Sequence, residues 1–277
     1  MIAVSQPAVG RRSRRIPLFI ASRFLSALSE QMIIFAVPLI AYRLTHSLAV
    51  SGFTYFLEWI PRLISLPFSG IICDKFGGRR LYLVSDLSRV LLCGLLFLVA
   101  VHAQPWHVYF LALLSGAVGF FYEMAFVALE STVPTMVSTE EIPKTQSVLQ
   151  AVDQMAQLLG PVLAAAVSYV LSIPALFLLI AGLLLISAIN VLYALPATGP
   201  VIEQKLGVKH MVKEFYQGLH LVINVPELRL TTALTILVNI MFGSIFSTSA
   251  GYIQEAFRRT ETDYGKLNSI AGGFGVL

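Results

Sequence analysis

The chain has 277 residues, of which 57% are hydrophobic and only 12% charged, with a mean hydropathy of +0.79. Soluble domains carry about a quarter charged residues, and a chain of this size folded in water could not hide so much apolar surface, so a soluble globular protein is excluded. The net charge of +4 calls for no nucleic-acid partner, because membrane proteins collect Lys and Arg in their cytoplasmic loops.

In chain order, a polar and then basic tail ("RRSRR", residues 1–15) comes first. The apolar run behind it is too long for the h-region of a cleavable signal. A bilayer core of about 30 Å takes roughly 20 helical residues to cross, and helices satisfy their own backbone there. Six apolar runs of that kind follow at about 16–42, 49–73, 81–102, 107–130, 146–171 and 174–196. They predict an all-α membrane protein whose six-helix bundle covers 16–196. A polar, basic link at 197–228 comes next. Its residues Met211, Val212, Phe215, Leu219 and Leu221 predict a short amphipathic helix on the membrane surface. A seventh run at about 229–254 and an eighth from about 264, interrupted at Leu277, make 229–277 the start of a second bundle. The two cysteines, Cys73 and Cys93, lie in or beside apolar runs and read as small packing residues.

Lys and Arg set the orientation. With the amino end in the cytoplasm, the inside segments hold Arg11, Arg12, Arg14, Arg15, Lys75, Arg79, Arg80, Lys144, Lys205, Lys209, Lys213 and Arg229; the outside segments hold only Arg43, Arg258, Arg259 and Lys266. "GIICDKFGGRR" at 70–80 therefore faces the cytoplasm. Gly77 and Gly78 permit a tight reversal there, and Gly70 permits close helix approach. Asp74 suits the positive end of a facing helix, and Arg79 and Arg80 suit carboxylates or anionic headgroups.

This loop resembles the signature loop of the major facilitator superfamily at Gly70, Asp74, Lys75, Gly77, Arg79 and Arg80, with Gly78 where the family usually carries another base. The stretches "RFLSALSEQMIIFAVPLIAYRLTHS", "PRLISLPFSGIICDKFGGRRLYLVSDLSRVLL" and "VPELRLTTALTILVN" are similar to the exporter branch that includes the enterobactin (siderophore) and drug exporters. The resemblance implies a six-helix N-terminal bundle plus part of a second, and a chain truncated after about seven and a half of the family's twelve helices. It also implies a loop at 70–80 that latches the two halves when the pore opens outward. "AQLLGPVLAA" is similar to the family's antiporter motif in helix five. It keeps Gly160 and Pro161, with alanines at Ala156, Ala164 and Ala165, and implies a gating helix; small residues beside a Pro kink fit static packing as well. The Arg usual in helix four of proton-coupled drug exporters is absent from "WHVYFLALLSGAVGFFYEMAFVALE".

Charges inside the apolar runs are the candidate site, because an ionisable group at mid-bilayer costs at least about 2.5–3.5 kcal/mol and wants a partner or a wet cavity. Glu58 and Arg62, four apart, and Asp86 and Arg89, three apart, can pair within their helices. Arg23 and Glu30 lie about 10 Å apart along one helix, so each looks elsewhere. Arg23, Glu30, Glu58, Arg62 and Glu123 are the candidate proton or substrate cavity, with Glu30 and Glu123 either as proton carriers or as acids partnered across helices that hold the bundle. Asp86, Arg89 and Asp153 are the candidate inner gate. By height the charges form two layers, with Glu30, Glu58 and Arg62 near the middle and Arg23, Asp86, Arg89, Glu123 and Asp153 nearer the cytoplasm. The five histidines pair with no Cys, Asp or Glu at ligand spacing, and there is no phosphate-binding glycine loop or nucleophile–base pair, so neither a metal, a cofactor nor an enzymatic site is expected.

The expected protein is a multi-pass transporter in a bacterial inner membrane. Its partners are protons, lipid and a small amphipathic substrate, siderophore-like or drug-like, exported by alternating access. The alternatives are a non-transporting fragment whose C-terminal half is missing or supplied separately, and a membrane scaffold or receptor that keeps the fold. A cysteine placed at position 78 is expected to resist an impermeant thiol reagent added to intact cells; labelling from outside would reverse the topology.

Overall fold

The computed structural model describes residues 9–102, 104–195, 208–238 and 240–241. The helices are α1 (Val9–Thr45), α2 (Leu48–Phe76), α3 (Gly78–Val101), α4 (Val108–Glu130), a short α5 (Val133–Met136), α6 (Ile142–Val170), α7 (Ile173–Ala194) and α8 (Val208–Asn224). Six of these, α1 to α4 with α6 and α7, are long and apolar enough to cross a membrane, and each coincides with one predicted run. Among the described residues there is no strand. The all-α membrane bundle expected from the pattern is therefore the observed fold.

Local chemistry sets the breaks. After α1, His46 takes the left-handed conformation (φ 51°), and Ser47 caps α2 by accepting from the Val50 N–H. Gly77, at φ 81°, ends α2; its N–H donates to the Cys73 carbonyl at 2.8 Å, and α3 starts at the next residue. A side chain would be strained at that φ, so this glycine is what the tight reversal requires. Ser138 and Glu141 form a reciprocal capping box ahead of α6, and the Ser172 side chain caps α7.

The packing is inside-out relative to a soluble protein. The buried stripe of α2 is Ser51, Thr54, Glu58, Arg62, Ser65, Ser69 and Cys73. Its outward face carries Phe53, Phe56, Trp59, Ile60, Leu63 and Ile64. In water that arrangement would squander the hydrophobic effect; in lipid the outward apolar face costs nothing, and polar side chains hold helices together. α1 is the central helix, with 72% of its apolar span buried against 28–44% for the other five. It packs on α6 and α7 along one side and on α2 and α4 along the other.

Two apolar clusters divide the bundle by height. One contains Met32, Ile33, Val37 and Ile40 of α1, Cys93 and Leu96 of α3, Leu111 and Val118 of α4, Ala156 and Ala164 of α6, and Leu176 to Leu184 of α7. The other contains Phe19, Cys73, Leu81, Tyr82, Met124, Leu129, Leu149 and Val191. In every helix that feeds both clusters, a polar residue marks the change: Arg23 in α1, Asp86 and Arg89 in α3, Glu123 in α4, Asp153 in α6 and Ser187 in α7. A polar waist results, nearer the end that carries residues 70–80.

Gly160 and Pro161 of α6 are buried with Ala156, Ala164 and Ala165. A Cβ on Gly160 would stand 2.5 Å from the Gln31 Cβ and 3.2 Å from the Gln31 carbonyl carbon. The small-residue stripe expected to form a gate thus seals α6 against α1 inside this bundle. α8 is followed by a helix at Pro226–Val238 set at 100° to its end, and Leu219 and Leu221 of α8 are exposed. The side chains of Met211, Val212 and Phe215, the remainder of the link at 196–207 and the eighth predicted run lie outside the described residues, as does most of the seventh run. Gly160→Ala is expected to lower stability in detergent by about 1–3 kcal/mol through overpacking. Gly182→Ala, where a Cβ meets nothing within 4 Å, leaves it unchanged or slightly raised; thermal unfolding of both variants checks this.

Candidate functional site

The waist is built around two arginines. Arg89, fully buried, donates from Nη1 to Ser26 Oγ at 2.7 Å and to Asp86 Oδ1 at 3.1 Å. Its Nη2 donates to the Ser26 carbonyl at 3.2 Å and to Glu30 Oε2 at 3.0 Å. Arg62 Nη2 donates to the other Glu30 oxygen; Arg62 also lies 3.6 Å from Glu58 Oε1 and 3.8 Å from Glu123 Oε1. Glu30 is thus held by an arginine on each oxygen, one from α2 and one from α3, the strong charge-assisted form of hydrogen bond. Both intrahelical pairs expected from spacing are formed.

Space for Arg62 comes from α4. A Cβ on Gly119 would stand 2.6 Å from Arg62 Nε, and one on Gly116 would stand 3.0 Å from Pro61 Cγ and 3.4 Å from the Leu57 carbonyl. Pro61 is the residue that frees that carbonyl from its helical bond. Trp59 and Tyr122 flank the guanidinium with ring centres at 5.2 and 5.6 Å. Tyr122 also faces Arg89 at 5.2 Å.

A second group adjoins the first. Arg23 makes a two-pronged contact with Asp153, Nε to Oδ1 at 2.8 Å and Nη2 to Oδ2 at 2.7 Å, the geometry a guanidinium fork favours. It lies 3.4 Å from Glu130 and 3.9 Å from the centre of the Phe126 ring. Gln146 at the start of α6 donates to the same Glu130. Below these groups the Tyr82 hydroxyl meets Ser187 Oγ at 2.6 Å and the Ser22 carbonyl at 3.3 Å, tying α3, α7 and α1 together.

The pairing cuts across the expected division into cavity and gate. Arg89, placed with the gate, joins Glu30 and so the middle group; Arg23, placed with the cavity, joins Asp153. The two layers are not separate either. A guanidinium reaches far beyond its own Cα, so Arg62 links Glu58 and Glu30 to Glu123, and Arg89 links Asp86 to Glu30. The arginines and Glu30, Glu58 and Asp86 have side chains at most 3% exposed, whereas Glu123, Asp153 and Glu130 are 18%, 17% and 30% exposed. The network therefore has a dry interior and a wet rim. Glu30 is locked between two arginines, whereas Glu123 stands on the rim.

Sequence reasoning missed Glu130, Ser26, Tyr82, Ser187 and Gly119. Glu130 and Gln146 are the last and first residues of the predicted runs 107–130 and 146–171, at the edges where a polar group draws no attention. Ser22, Ser26 and Ser29 recur at helical spacing beside Arg23 and Glu30, a signal that would have marked the polar face of α1.

The loop at 70–80 is more varied than its motif. Arg79 donates to the Leu192 carbonyl near the end of α7 at 3.0 Å, and Cys73 Sγ meets Ser131 Oγ at 2.9 Å. Asp74 and Arg80 are exposed, with no hydrogen-bonding or ionic partner among the described residues, and Lys75 lies 5.2 Å from the Phe76 ring. Nothing among those residues comes within 4 Å of a Cβ on Gly70, so the close approach expected there is absent from this bundle. Gly78 provides it instead: its Cβ would meet Thr132 Oγ1 at 2.5 Å and the Ala128 carbonyl at 2.7 Å. A base at 78 would not fit, and a topology-reporting cysteine belongs at the exposed Phe76. Among the described residues no group of three or more His, Cys, Asp or Glu side chains could hold a metal ion.

Arg89→Met is expected to cost about 3–5 kcal/mol, since it strands Asp86 in a dry interior and leaves Glu30 with Arg62 alone. Arg23→Met costs less because water reaches Asp153 and Glu130. Thermal or denaturant unfolding of both variants ranks the two, and equal losses would contradict the division into dry interior and wet rim.

No curated protein matches the chain significantly. The sequence profile of the Major Facilitator Superfamily matches residues 19–277, nearly the whole chain. With six membrane-length helices and that match, the chain belongs to the Major Facilitator Superfamily, a family of secondary transporters rather than enzymes.

Proposed function

We propose that the protein is a proton-driven exporter of a small amphipathic organic molecule, siderophore-like or drug-like. It works by alternating access of two helical halves around a central cavity. The observation that supports proton coupling is the imbalance of the waist: among the described residues, Glu30, Glu58, Asp86, Glu123, Glu130 and Asp153 share only Arg23, Arg62 and Arg89. Unpaired acids in a low-dielectric interior take up protons and give them back when the surroundings change. The Arg usual in helix four is absent, and Arg62 of α2 packs against α4 at Gly119.

Siderophore-like or drug-like cargo and outward direction follow from the likeness of residues 23–47, 61–92 and 225–239 to that exporter branch. The excess of Lys and Arg on one side supports an amino end in the cytoplasm with residues 70–80 beside it, and the same exporter likeness supports the inner membrane of a bacterium. Residues 16–196 then form the first half, 197–228 the cytoplasmic link and 229–277 the start of the second. Asp74 and Arg80, which lack partners within this bundle, are the groups left to latch that second half.

Everted membrane vesicles containing the full-length gene product test the proposal, with ethidium and an iron-free catecholate siderophore as probes. At least one probe is expected to accumulate several-fold above control vesicles when a proton gradient is imposed, and to leak out when nigericin collapses it. Accumulation of neither probe counts against export of this chemical class. Accumulation that nigericin leaves untouched counts against proton coupling.

A further inference from the structure

Glu58 stands apart from the other acids of the waist. It is fully buried in the middle of α2, and neither of its carboxyl oxygens accepts a hydrogen bond. Its nearest cation is Arg62, 3.6 Å away and one turn on in the same helix. Yet the Arg62 nitrogen at that distance is the one donating to Glu30. Every other buried acid is better served: Glu30 has an arginine on each oxygen, and Asp86 accepts from Arg89. An ionised carboxylate left without a hydrogen bond in a dry interior is among the most costly arrangements a protein can hold. A neutral carboxylic acid is far less costly.

The surroundings also supply a second position for Arg62. Glu30 has two arginines, so it stays compensated by Arg89 if Arg62 turns away. Glu58 stands one turn before Arg62 on the same helix, with its carboxylate 3.6 Å from the guanidinium. The other charged or titratable groups near this face are Glu30 on α1, Asp86 and Arg89 on α3, and Tyr122 and Glu123 on α4. α8, which also touches α2, keeps its described titratable side chains Tyr216 and His220 at the surface.

We propose that Glu58 carries the coupling proton as a neutral carboxylic acid, and that Arg62 turns from Glu30 and Glu123 onto Glu58 when that proton leaves. The exchange balances: the Glu58 O–H bond breaks, its proton passes to water admitted when alternating access opens this interior, and the carboxylate formed takes Arg62 as its counter-charge. Reprotonation returns Arg62 to Glu30 and Glu123. Glu123, on the wet rim, competes for the same guanidinium and so ties the state of Glu58 to whatever fills the cavity. This assignment rests on the proton-coupled function proposed above and names the group through which it works.

The test uses the purified full-length protein in lipid nanodiscs and in proteoliposomes. Infrared spectra at neutral pH are expected to contain the carbonyl band of a protonated carboxylic acid, absent in Glu58→Gln and retained in Glu123→Gln. A band that survives Glu58→Gln, or no band in the wild type, overturns the assignment. Gln has the shape and charge of the neutral acid, so Glu58→Gln is expected to melt with the wild type; loss of folded protein in that variant overturns it too. In proteoliposomes with ethidium or the catecholate as probe, Glu58→Gln is expected to lose at least tenfold in proton-driven accumulation while keeping probe exchange at equilibrium. Accumulation at the wild-type level in Glu58→Gln overturns the coupling role. Wild-type liposomes that show the Glu58 band but no proton-driven transport overturn the proposed function and leave the neutral Glu58 standing.

Discussion

The bundle depends on the bridging of Glu30 by Arg62 and Arg89. Removing two guanidiniums and a carboxylate from water costs several kcal/mol for each ion, and their attraction offsets this only with good geometry and satisfied remaining atoms. That condition holds together three helices: α1 brings Glu30 and Ser26, α2 brings Arg62, and α3 brings Arg89 and Asp86. Moving any one of them by a turn would strand a charge in a dry interior. The register of α1, α2 and α3 is therefore set by charge as much as by shape. In lipid this matters more than in water, because apolar side chains are as comfortable outside the bundle as inside it.

The remaining helices are fitted to this knot by small residues. Gly119 and Gly116 of α4 leave room for Arg62 and Pro61, and Gly160 of α6 lets its backbone touch that of α1 at Gln31. These glycines serve close approach. Gly77 serves a different end, a reversal at positive φ. The apolar clusters on either side of the waist then exclude water from Glu30, Glu58 and Asp86, while Glu123, Asp153 and Glu130 remain in reach of it.

Transport needs a structure that is stable in more than one arrangement, and a network with more acids than arginines has that property. Arg62 has three carboxylates within 4 Å, and no single rotamer serves all of them equally. Arg89, by contrast, is fixed by four acceptors from two helices. One arginine therefore anchors the bundle, and the other is shared among competing carboxylates. At the basic end the same contrast recurs: Arg79 is tied to α7, while Asp74 and Arg80 are exposed and have no partner among the described residues.

Length and hydropathy by themselves determined that the chain crosses lipid, that it is all helix and where six helices lie, because in a bilayer the backbone must satisfy itself and about 20 apolar residues are needed for each crossing. Spacing of three or four residues also determined the pairs Glu58–Arg62 and Asp86–Arg89, since such contacts are local to one helix. Partners on different helices were out of reach: that Glu30 is held by Arg62 and Arg89, that Arg23 meets Asp153 and Glu130, that Gly160 seals α6 to α1, and that Glu58 is left without a hydrogen bond. Rotation and depth of one helix against another decide these contacts. A uniformly apolar surface leaves rotation and depth almost unmarked in the pattern of residues, so only the packed bundle could decide them.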